Sequence, residues 1–84
     1  MEQQVEASVE SRVVAVVAKQ LGLNLRKVEL KDKLTEDLGA DSLDLLQIST
    51  ELEIEFDINL EGFRASDGMT VQAVAHVVRR ALSV

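Results

Sequence analysis

The sequence predicts an all-α fold, a small four-helix bundle of three longer helices and one short one, with a long first loop. Three observations predict it. The chain has 84 residues, enough for one domain over residues 1–84 and a small core, since a chain of this size buries only about 60 to 65% of the surface its unfolded form exposes. It has no proline, tryptophan or tyrosine and only Phe56 and Phe63 as aromatics, with Leu, Ala, Val and Glu dominating, a composition suited to helices packed on aliphatic side chains. Apolar residues recur at steps of three and four in separate segments. A cleft deep enough to enclose a substrate does not fit beside so small a core, which argues against an enzyme.

The first helix is predicted over residues 5–21, where Val5, Val9, Val13, Val16, Val17 and Leu21 form one stripe and Glu6, Glu10 and Lys19 lie off it. The run Val13-Val14-Ala15-Val16-Val17 favours a strand by propensity; the surrounding helical period and polar flanks decide for a helix. Gly22 supplies a C-terminal stop. From Leu23 to Ala40 the apolar residues Leu25, Val28, Leu30, Leu34 and Leu38 are spaced too irregularly for one helix, and are expected to be buried in local turns across the bundle.

The second helix is predicted from Ser42 to Glu55 or Phe56, with Asp41 or Ser42 as N-cap and Asp44 in the first turn, where the helix dipole favours anions. Leu45, Ile48, Leu52 and Phe56 form its core stripe. Asp44, Gln47, Glu51 and Glu55 fall on the solvent side, with Thr50, Glu53 and Ile54 at its edge. Gly62 and Gly68 bracket Phe63 to Asp67, read as the short helical turn. Thr70 caps a last helix that buries Val71, Val74, Ala75, Val78 and Leu82, and Arg79 and Arg80 complement its C-terminal end.

Charge is distributed unevenly. The net charge is −6, and from Glu36 to Glu61 there are nine acids and no Lys or Arg. One strongly negative face follows, which repels nucleic acid and anionic membranes and steers partners that carry basic patches; acids also simply keep a small domain soluble. There is no cysteine, so any thioester chemistry needs a thiol from a prosthetic group. Met1-Glu2-Gln3-Gln4 lacks the features of a signal peptide, and no apolar run reaches the roughly 18 residues that span a bilayer, so a cytoplasmic site is expected; the chain is also expected to be a monomer.

Ser42 lies in Glu36-Asp37-Leu38-Gly39-Ala40-Asp41-Ser42-Leu43-Asp44, among four carboxylates at a loop-to-helix junction. A serine nucleophile needs a base and an oxyanion hole. Only carboxylates and apolar residues are near it in sequence, so Ser42 reads as a residue to be modified, or merely as an N-cap. The segment Asp37-Leu38-Gly39-Ala40-Asp41-Ser42-Leu43 resembles the attachment motif of acyl carrier proteins. The resemblance extends through Leu52-Glu53, Glu55-Phe56-Asp57 and Thr70-Val71-Gln72-Ala73-Val74, covering about residues 5 to 82.

That resemblance implies a non-catalytic acyl carrier. Its 4'-phosphopantetheine would be attached to Ser42 by a phosphopantetheinyl transferase with Mg²⁺, and would hold acyl groups as thioesters for enzymes of fatty acid, polyketide or specialised lipid synthesis. It implies that Asp41, Leu43, Asp44, Gln47, Thr50, Glu53 and Ile54 lie on the partner-recognition face, and that Leu45, Ile48, Leu52 and Phe56 line the space for the acyl chain. Acids are usual in fatty acid synthesis where this chain has Gln47 and Ile54, methionine where it has Thr50, and proline where it has Glu61, departures that point to a dedicated pathway. The alternatives are an unmodified acidic helical adaptor and a peptidyl or aminoacyl carrier.

Other constellations carry less. The acids from Asp37 to Asp44 lack EF-hand spacing. Asp41 and Asp44 have no wall to make them an acid/base pair. His76 falls on the polar side of the last helix with no partners for a metal, and Met69 and Phe63 read as packing residues, Phe63 also as a partner contact.

Overall fold

The computed structural model describes residues 8–60 and 68–83. It is all-α: α1 spans Val9–Leu21, a 3-10 turn Leu25–Lys27, α2 Ser42–Phe56 and α3 Val71–Leu82. The predicted short helix at Phe63–Asp67 lies outside the described residues.

α1 begins at Val9, four residues later than predicted. The backbone of Ser8 is extended, its hydroxyl accepts from Ser11 N, and its carbonyl accepts from Arg12 N at 3.1 Å. The valine period pointed past this cap to Val5, which lies outside the described residues. Gly22 ends the helix in the left-handed region (φ 68°), and Leu23 N donates to Ala18 O at 2.8 Å, a closing bond that needs a residue without a Cβ penalty at Gly22. Val13, Val17 and Ala18 are buried, while Val9, Val16 and Leu21 pack partly buried against the core. Burial of this stripe outweighs the strand propensity of its valines.

The long loop is held by its own turns and by α3. Leu34 N donates to Met69 O, Val71 N to Asp32 O and Gln72 N to Leu30 O, each at 2.9 Å. The start of α3 thus finds acceptors in the loop, in addition to the Thr70 hydroxyl, which accepts from Ala73 N. Val28 and Leu34 are buried, and Leu30 and Leu38 partly so. Leu25 is a correction: it is 54% exposed, because the one-turn 3-10 segment capped by Asn24 presents it at the surface. Leu82 is the second correction. Val71, Val74, Ala75 and Val78 are buried as predicted, but Leu82, in the last turn, is 44% exposed.

α1 is tied to both other helices. Glu10 takes a two-pronged bond from Arg79 of α3, at 2.7 and 2.6 Å. Arg12 reaches α2 through Glu55, at 3.1 Å to the carboxylate and 3.0 Å to the carbonyl, and lies 4.3 Å from the centre of the Phe56 ring.

Candidate modification site at the start of the second helix

The loop delivers the site as a fixed corner. Gly39 adopts φ 78°, a conformation that side chains resist. Gly39 N donates to Thr35 O at 3.0 Å and Ala40 N to Leu34 O at 2.9 Å, and Ala40 is buried. The chain then turns outward into α2.

Asp41 is the N-cap. Its Oδ1 accepts from Asp44 N at 2.8 Å, while Asp44 Oδ2 accepts from Asp41 N at 3.0 Å, a reciprocal capping box. Ser42 is therefore the first helical residue and is not needed as a cap. It is exposed, and its hydroxyl makes no hydrogen bond among the described residues. The N–H groups of Ser42 and Leu43 have no acceptor within the helix, and the positive end of the dipole lies here. An exposed, uncommitted hydroxyl at such a point fits a phosphodiester.

Each of the four carboxylates around Ser42 has a partner of its own. Glu36 pairs with Lys33 at 3.1 Å, Asp37 accepts from Lys33 N at 2.8 Å, and Asp41 and Asp44 hold the cap. Among the described residues no group of three or more His, Cys, Asp or Glu could hold a metal ion. His76 is exposed on α3 and Met69 is partly buried against the core, as the sequence suggested.

Further along α2 the four predicted core residues, Leu45, Ile48, Leu52 and Phe56, are all buried. Ser49 is buried with them, which its polarity concealed; its hydroxyl turns back to Leu45 O at 3.2 Å. Leu43, Gln47, Thr50 and Ile54 are exposed, and Gln47 bonds to Gln20 of α1. Glu53 is half-buried and accepts from Leu60 N at 2.8 Å. Leu46, which the sequence reading passed over, is 47% exposed; its spacing of three from Leu43 was the available signal. Two surface grooves lie away from Ser42 and from the core stripe. One of about 430 Å³ runs between α1 and α2 past Arg12, Lys19 and Glu51, and one of about 340 Å³ is lined by Val14, Leu25 and Leu30.

Among the described residues, Ser42 stands at a capped helix start of a small helical fold with its hydroxyl exposed and uncommitted, a geometry open to modification. The sequence pattern of the family described as "Phosphopantetheine attachment site" matches residues 11–78. The chain is 40% identical over 70 residues to an acyl carrier protein of Phaeodactylum tricornutum, covering 83% of this chain and 92% of that one. It is 41% identical over 68 residues to one of Trieres chinensis, covering 81% and 85%, and 34% identical over 76 residues to one of Chlorobium phaeobacteroides, covering 89% and 97%. The chain belongs to the acyl carrier protein family. Its members are carriers rather than enzymes, and membership brings a covalently attached 4'-phosphopantetheine.

Proposed function

We propose that this protein carries acyl groups for partner enzymes on a 4'-phosphopantetheine arm joined to Ser42 Oγ, the 84 residues acting as one monomeric carrier domain in the cytoplasm. The observation that carries the assignment to Ser42 is the capping box: Asp41 and Asp44 close the helix and leave the Ser42 hydroxyl exposed and uncommitted. When attached, the arm supplies the terminal thiol this cysteine-free chain lacks, and acyl groups are held on it as thioesters.

A phosphopantetheinyl transferase with Mg²⁺ attaches the arm. Ser42 Oγ forms the new bond to phosphorus, the phosphoanhydride of coenzyme A breaks, the hydroxyl proton passes to a base of the transferase, and adenosine 3',5'-bisphosphate leaves. The exposed residues beside Ser42, with Asp41, Leu43, Asp44, Gln47, Thr50, Glu53 and Ile54 as the recognition set, face the partners, and cations on those partners meet the acidic side of the molecule. Leu45, Ile48, Leu52 and Phe56 give the acyl chain an apolar interior to enter when the helices part. Fatty acid synthesis or a dedicated lipid or polyketide pathway fits such a carrier. No helix among the described residues is long and apolar enough to cross a membrane.

The test is intact mass after incubation with coenzyme A, Mg²⁺ and a broad-specificity transferase, followed by acyl loading and treatment with hydroxylamine. One added arm, then an acyl mass that hydroxylamine releases, is expected. An unchanged mass in a folded sample points instead to an unmodified adaptor.

A further inference from the structure

Among the described residues one buried side-chain polar atom lacks a hydrogen-bond partner, the hydroxyl oxygen of Thr35. A buried hydroxyl left unpaired is destabilising, and native folds keep few of them. The local backbone gives it no partner. A turn threonine ordinarily accepts from the N–H two or three residues on, but Asp37 N and Leu38 N both donate to Lys33 O, at 3.0 and 3.2 Å. Valine has the same shape without the hydroxyl, so packing alone does not call for threonine here. The surroundings of Thr35 in the chain belong to the apolar interior. Leu34 before it is fully buried, Ala40 bonds back to Leu34 O, and both share one core cluster with Leu45, Ile48, Leu52 and Phe56. Ser49, also buried there, has its hydroxyl committed to Leu45 O.

We infer that Thr35 determines which cargo the carrier favours: its hydroxyl is the partner for an oxygen borne part-way along the acyl chain, so hydroxy- or oxo-acyl groups are held better than saturated ones of the same length. This rests on the carrier reading and names the chemical class of the cargo. Thr35 is within reach of a group attached at Ser42. Gly39 N donates to Thr35 O at 3.0 Å, and the three residues from Gly39 to Ser42 span at most about 11 Å. An oxygen drawn into an apolar interior needs a hydrogen bond. The Thr35 hydroxyl donates to an oxo oxygen, and either donates to or accepts from a hydroxyl, so that one contact satisfies two polar groups. A saturated chain leaves the threonine unpaired, and discrimination by a polar group rests on that difference.

The parent, Thr35→Val and Thr35→Ser proteins are given the arm by the transferase and loaded with decanoyl or with hydroxydecanoyl groups that differ in where the hydroxyl stands. Thermal midpoints are then measured, with intact mass confirming each load. Unloaded Thr35→Val is expected to melt at or above the parent, because it loses no bond. In the parent, at least one hydroxydecanoyl group should raise the midpoint about 4 to 8 °C above decanoyl, the shift of one hydrogen bond in a domain of this size. Thr35→Val should abolish or reverse that gap, and Thr35→Ser, which keeps the hydroxyl, should preserve it. The inference is overturned by a parent with no gap for any hydroxyl position, or by a gap of the same size in Thr35→Val. It is also overturned if unloaded Thr35→Val melts several degrees below the parent, since the hydroxyl would then be bonded already in the free carrier. A parent that takes up no arm counts against the carrier reading, and one whose decanoyl group leaves the midpoint unchanged counts against the apolar interior; either takes the role of Thr35 with it. A parent that decanoyl stabilises but that shows no gap counts against Thr35 alone.

Discussion

At the residue scale the decisive pair is Asp41 and Ser42. Both types cap helices well, so their order in the sequence left the cap open between them. The reciprocal bonds of Asp41 and Asp44 settle it, and that depends on backbone geometry no single residue type announces. The division of labour predicts unequal costs. Asp41→Ala should lower stability by about 0.5 to 2 kcal/mol, the usual loss of a cap. Ser42→Ala should stay within about 0.5 kcal/mol of the parent, as for a surface substitution away from any special feature. Urea midpoints of the two variants check this, and equal losses would mean that the serine shares the capping.

At the scale of the elements, α1 works as a strut. α2 has no basic residue in its last turn, so Arg12 of α1 supplies the cation, bonding Glu55 O and lying over Phe56. Arg12→Gln should cost about 1 kcal/mol, summed over an exposed ion pair and a cation–π contact, and should lower the urea midpoint without changing the slope. The contact joins residues 43 apart, so periodicity within either helix could not reveal it. The same limit explains Leu25 and Leu82: a stripe read along one segment does not say where the opposing surface ends. The regular stripes of α2 and α3, by contrast, were legible because each has a whole row of core residues behind it.

The same first turn of α1 also carries a pH-sensitive link to α3. Arg79 donates two bonds to Glu10 and lowers its pKa from 4.5 to about 2. A carboxylate whose folded pKa lies below its unfolded one contributes stability that is complete above the unfolded value and is lost as pH falls through the folded one. The contribution of this pair should therefore fade between about pH 4.5 and about pH 2. Glu10→Gln should flatten the decline of the thermal midpoint in that window; an identical acid limb would show that solvent screens the pair completely.

For the whole molecule, the sequence displayed an acidic face but not how its charges are used. Nine acids without a base from Glu36 to Glu61 read as a free negative surface. In the fold, Lys33 and Arg12 reach in from other segments, and backbone N–H groups take Asp37, Asp41, Asp44 and Glu53. The net charge of −6 still opposes compaction, so moderate salt should raise the thermal midpoint at neutral pH. A midpoint that falls with added NaCl would mean that the ion pairs of Arg12 and Arg79 outweigh the general repulsion.

Whether Ser42 bears the arm is decided by locating the modification. The parent and Ser42→Ala proteins, both shown to be folded, are incubated with coenzyme A, Mg²⁺ and the transferase, then weighed intact and as proteolytic fragments. A single arm is expected on the parent, confined to the fragment containing Ser42, and none on Ser42→Ala. An arm on another serine, or continued modification of the folded Ser42→Ala protein, would contradict it.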